Sequence, residues 1–248
     1  VGYDLAYSAW LGFLAGLFPV YLGLLALGPF RAAPDRLRQM LVGLTIGILL
    51  FLFADVTHEA AEGAKASWAG AAVYGPALAA GLLAPMAIAK ASELSPRAKD
   101  VRDRGLLAAY LVALGIGIHN FGEGLAIGAA YATGEFALTY LLVIGFAVHN
   151  GTEGIGIAGP MAGAKVTAKD PVIAGFLAGA PTILGSLVGA MAYSTLLSVA
   201  FFSAASGAIL FVVVELARHA YGARATLGIV GTALGVLLMF ATGLLLEL

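Results

Sequence analysis

A chain of 248 residues that is 61% hydrophobic and only 11% charged is not an ordinary soluble domain, in which about a quarter of residues carry charge. Its net charge of −1 excludes an electrostatic nucleic-acid binder. The absence of cysteine excludes disulfides, thiolate metal sites and iron–sulfur ligation.

A membrane-spanning helix needs roughly 20 apolar residues. Eight such runs follow one another, at about 6–28, 39–60, 68–90, 105–130, 136–161, 171–192, 196–218 and 226–247. They are continuous and longer than the ~10-residue alternating segments of a membrane barrel. The prediction is an all-α integral membrane protein with one transmembrane domain of eight helices. No basic stretch precedes the first run, so no cleavable leader is expected in it.

In chain order, the first run carries Pro19, and the second ends on Asp55, His58, Glu59 and Glu62. Asp55 and Glu59, like His58 and Glu62, are spaced i, i+4 on a helix. This end is either an entrance that collects cations or an ordinary solvated terminus. Its HEAAE lacks the second histidine of an HExxH zinc-peptidase motif, because Glu62 stands in that place. The third run holds Pro76 and Pro85 and leads into a mixed-charge linker at 91–104. The fourth contains HNFGEG (119–124), and the fifth contains HNGTEG (149–154) followed by Pro160. The sixth carries Pro181. The seventh ends with Glu215 and His219, an i, i+4 pair that is either an exit or a satisfied helix end beside Arg218. Each proline can kink its helix or free a backbone carbonyl.

Basic residues are retained on the cytoplasmic side of a membrane. With both termini outside, twelve of the thirteen Lys and Arg fall in inward loops, and only Lys65 falls outward. That split supports the even number of spans as well as the orientation.

Ionisable groups within a bilayer are costly and mark function by default. Here the pattern H-N-x-x-E-G occurs twice, 30 residues apart, on consecutive antiparallel helices. His and Glu at i and i+4 share a helix face. His119 and Glu123 can therefore meet His149 and Glu153, with Asn120 and Asn150 about 100° around each helix. Two imidazoles, two carboxylates and two amides form a nitrogen and oxygen donor set suited to Zn²⁺, Fe²⁺, Mn²⁺, Co²⁺ or Cd²⁺. The alternative is an interhelical hydrogen-bonding arrangement that holds the bundle together. Two facing carboxylates in lipid repel unless a cation or protons neutralise them, and one dication does so economically.

On these residues the chain resembles the ZIP (Zrt-, Irt-like protein) family of divalent metal transporters. SAASGAILFVVVEL (203–216) is similar to the family's seventh helix, and the 91–104 linker sits where the family has a variable cytoplasmic loop. The resemblance implies a 3+2+3 arrangement, with helices 1–3 and 6–8 related as inverted repeats and both termini outside. It also implies a first metal site at His119, Glu123, His149 and Glu153. A second would use Asn120 and Asn150, with the two glutamates bridging. It further implies homodimers. The chain departs from the family pattern at Gly122 and Thr152, where proline is usual before the glutamate, and at Ala180, where many relatives have Glu before the proline. Ala180 leaves the second site short of a carboxylate, so one metal or a weaker second one is expected.

The resulting expectation is transport of divalent transition-metal cations across the plasma membrane, a prokaryotic inner membrane, by alternating access. Zn²⁺ comes first among the candidate ions. Metal is expected to enter past Asp55, His58, Glu59 and Glu62, to bind at midmembrane, and to leave past Glu215 and His219. The metal is substrate, no catalytic cofactor is expected, and the partners are the cations and the lipid bilayer, with no nucleic acid. An intramembrane metal-dependent hydrolase using the same ligands is the alternative.

Overall fold

The computed structural model describes residues 4–93, 101–220 and 225–247, with side chains described over 4–91, 104–218 and 226–244. The helices are α1 (Leu5–Ala32), α2 (Asp35–Lys65), α3 (Trp68–Glu93), α4 (Val101–Ala132), α5 (Phe136–Met161), α6 (Lys169–Ala192), α7 (Thr195–Ala220) and α8 (Ala225–Glu247). Among the described residues, eight helices are long and apolar enough to cross a membrane. This matches the eight predicted runs. Residues 94–100 of the 91–104 linker lie outside the described residues, and the rest of it is helical.

Local chemistry sets the helix ends. Asp4 caps α1, its carboxylate accepting from the amides of Ala6 and Tyr7, which satisfies donors with no intrahelical partner. α2 starts four residues earlier than the apolar run because Pro34 is extended and Asp35 sits in the first turn, where a carboxylate favours the helix dipole. α4 and α5 are joined by only three residues. Gly134 turns the chain there with φ of 79°, a conformation open to glycine at little cost. The two motif-bearing helices are therefore antiparallel neighbours.

Pro76, Pro85, Pro160 and Pro181 all lie inside continuous helices. α1 behaves differently. Its residues Phe13–Leu17 form a π-helical turn immediately before Phe18 and Pro19.

Packing divides the helices into two groups. α1 packs on α5 and α6, and α4 packs on α5 and α6. α2 packs on α3, α7 and α8, and α3 packs on α7. The groups meet where α7 lies against α4 and where α5 lies against α2 and α8. Exchanging 1 with 6, 2 with 7, 3 with 8 and 4 with 5 maps most of these pairings onto one another. For example, α4–α6 becomes α5–α1 and α2–α8 becomes α7–α3.

Small residues make the close contacts, as expected where helices associate without a hydrophobic driving force. Along α4–α6, a Cβ on Gly124 would collide with the Thr182 carbonyl, and one on Gly185 with the Phe121 carbonyl. Buried hydroxyls join helices as well. Ser8 and Ser186 each donate to the other's backbone carbonyl, at 2.9 and 2.8 Å, and Thr45 donates to the Gly156 carbonyl at 2.8 Å. Large apolar side chains such as Met86, Ile144, Phe176 and Leu237 are exposed on the outside. Such a surface suits a protein whose solvent is lipid.

Candidate metal centre

The two motifs meet at the α4–α5 interface. His119, Asn120, Glu123, His149, Asn150 and Glu153 are all buried, none more than 4% exposed. The i, i+4 spacing does what the sequence predicts. His119 Nε2 is 3.3 Å from Glu123 Oε1, and His149 Nε2 is 3.7 Å from Glu153 Oε1. Across the helices, His119 Nε2 is 4.0 Å from Glu153 Oε1, and the two imidazole centroids are 6.0 Å apart. His119, His149 and Glu153 each present a donor atom, all within 4.8 Å of one another. Glu123 is outside that group of three and stands beside His119.

These groups are short of hydrogen bonds. Both nitrogens of His119 and His149, both oxygens of Glu153 and the amide oxygens of Asn120 and Asn150 are buried without a well-formed partner. Buried polar atoms are nearly always paired, and leaving one unpaired costs roughly 1–3 kcal/mol. The orphaned atoms of His119, His149 and Glu153 include three that lie within 4.8 Å of one another, a donor set that could hold a cation.

The asparagines are held by backbone. Asn120 Nδ2 donates to the Ala178 carbonyl of α6 at 3.1 Å. Asn150 Nδ2 donates to the Ala15 carbonyl of α1 at 2.9 Å and to Glu123 Oε2 at 2.8 Å.

A cavity of about 600 Å³ leads to this centre. Asp55, Glu59 and Glu62 line its mouth on one face of α2, while His119, Glu123 and His149 line its base. The three carboxylates are spaced four and three residues apart, so one face carries them all. His58 is exposed and does not line the cavity. Glu62 also pairs with Lys65 at the rim. On the far side of the centre lies apolar core. Val112, Ile116, Ile157, Met161, Ile209 and Val212 pack there, each at most 1% exposed.

Glu215 is half-buried near the end of α7, 3.6 Å from Arg218, and does not reach the cavity. The side chain of His219 lies outside the described residues. Phe202 of α7 is a wall residue that the sequence did not flag. One more phenylalanine in an apolar helix carries no signal of its own.

A family model described as ZIP zinc transporter matches residues 89–243, more than half of the chain, and includes both motifs. No curated protein matches the sequence.

Proposed function

The chain belongs to the ZIP zinc transporter family, whose members are metal transporters, and on that premise we propose that His119, Glu123, His149 and Glu153 form the site through which it carries divalent transition-metal cations. One observation carries this reading: the orphaned imidazoles of His119 and His149 stand at the base of a cavity whose mouth is lined by three carboxylates, with a donor atom of the orphaned Glu153 carboxylate within 4.8 Å of theirs. Mixed nitrogen and oxygen donors favour Zn²⁺, with Fe²⁺, Mn²⁺, Co²⁺ and Cd²⁺ as competitors. Two buried carboxylates also balance one dication, so the loaded centre is neutral in a medium that penalises net charge.

The mechanism is alternating access. Asp55, Glu59 and Glu62 raise the local concentration of cations at the mouth. The cation loses its water to the His/Glu set near the middle of the membrane. The apolar core beyond the centre then parts while the cavity closes, as α1, α4, α5 and α6 shift against α2, α3, α7 and α8. The grouping of helix contacts supports this division, and their exchange pattern supports an inverted repeat. The distribution of Lys and Arg supports both termini outside, with the cavity mouth facing out and the protein in a plasma membrane.

Uptake of radioactive zinc by metal-starved cells expressing the protein tests the site. Glu123→Ala combined with Glu153→Ala should abolish uptake with the protein still at the membrane. Undiminished uptake would remove these residues from the path.

A further inference from the structure

The two oxygens of Glu123 have different surroundings. Oε1 stands 3.3 Å from His119 Nε2 and faces the cation site. Oε2 accepts a 2.8 Å hydrogen bond from Asn150 Nδ2. The same nitrogen donates to the Ala15 carbonyl at 2.9 Å. An amide nitrogen has two hydrogens to give and does not accept, so both are committed.

The second acceptor has a structural origin. Ala15 lies in the π-helical turn of α1, four residues before Pro19. Proline has no amide hydrogen and cannot close the usual bond to that carbonyl. The Asn150 amide takes it instead. One side chain of α5 thereby ties the backbone of α1 to a carboxylate of α4.

We propose that Asn150 is a positioning residue and not a metal ligand: its amide holds Glu123 Oε2, and the centre takes a single dication bound by His119, His149, Glu153 and Glu123 Oε1. Charge supports the count. One dication neutralises the two glutamates. A second would leave the buried centre with two net positive charges. The orphaned oxygens of the motifs left to receive it are Asn120 Oδ1, Asn150 Oδ1 and the second oxygen of Glu153, whose charge the first ion has already offset. Ala180, next to Pro181 on α6, adds no carboxylate. This proposal rests on the transport reading only in requiring that the His/Glu centre bind metal.

The test is equilibrium titration of the purified full-length protein with Co²⁺, followed by visible absorption, together with bound Zn²⁺ per chain by elemental analysis. Wild type should bind one ion. Two ions in wild type would overturn the proposal and leave the transport reading standing. No bound ion would overturn the transport reading itself. Asn150→Asp keeps the shape of the side chain and removes both donated hydrogens. It should either admit a second Co²⁺ with its own absorption bands or weaken the first at least tenfold. A gained equivalent is a readout that loss of packing does not give. Unchanged or tighter binding of a single ion in Asn150→Asp would overturn the positioning role. Asn150→Ala, checked for a monodisperse elution profile, should keep one ion with weaker affinity, and wild-type affinity there would count equally against the proposal.

Discussion

Phe202 of α7 lies over His119 of α4, their ring centroids 5.9 Å apart and tilted by 43°. The same ring fills the space beside Gly122, where any added Cβ would collide with it. Gly122 stands one residue before Glu123, so a departure in the motif is matched by a bulky side chain on the facing helix. The contact also spans the boundary between the two helix groups, where α4 meets α7.

Enlarging Gly122 should therefore disturb transport while leaving the ligands in place. Gly122→Leu is expected to lower the maximal flux at least tenfold. Phe202→Ala, which removes a half-buried ring, should cost about 1–3 kcal/mol of stability, below the range for a full core phenylalanine. In the double variant Phe202→Ala/Gly122→Leu part of the flux should return. Thermal denaturation and liposome flux measure the two effects.

Glu153 is fully buried with both oxygens unpaired. Glu153→Gln replaces this carboxylate with a neutral amide of the same shape. Metal-free protein should melt at the same temperature or higher. Metal affinity should fall roughly a hundredfold or more, since even changes behind a ligand cost ten- to a hundredfold. Wild type at a hundred times its dissociation constant gains about 2.7 kcal/mol from bound metal. The variant should lose that gain in a melting assay with and without Zn²⁺.

The carboxylates at the cavity mouth are exposed and act at a distance. Neutralising Asp55, Glu59 and Glu62 together as Asn, Gln and Gln should raise KM for metal roughly three- to tenfold at low ionic strength, with kcat unchanged. The effect should fade at high salt, which screens exposed charge. His58→Ala should leave KM within twofold, because His58 lies off the cavity. Flux measured against metal concentration at two salt concentrations separates these outcomes.

The α4–α6 contact places backbone against backbone directly beside the centre. Gly124→Val would drive a branched side chain into the Thr182 carbonyl. It should cost about 3 kcal/mol or more and reduce the yield of folded protein, seen as aggregation on size-exclusion chromatography.

The spans and the meeting of the two motifs were legible in the sequence for the same reason: both depend on spacing along a helix. Twenty apolar residues cross a membrane, and His and Glu four residues apart share a face whatever surrounds them. Helix starts were less legible, since Pro34 and Asp35 set the beginning of α2 through capping and not hydropathy. His58 stands i, i+4 to Glu62, but spacing alone does not say which face a cavity takes, and this one takes the face of Asp55, Glu59 and Glu62. The tie between Asn150 and Ala15 was hidden further. It involves a backbone carbonyl that any residue at position 15 would offer, released by a proline four residues away and reached from a distant helix. Phe202 was hidden because only tertiary packing brings it to His119.

The most direct test of the central claim is metal flux in proteoliposomes. Purified protein would be assayed with Zn²⁺, Cd²⁺, Fe²⁺, Mn²⁺ and Co²⁺ beside the His119→Ala/His149→Ala variant. Saturable flux of one or more of these ions, lost in the variant, is the predicted result. Tight binding with no flux of any ion, or equal flux through the variant, would contradict the account.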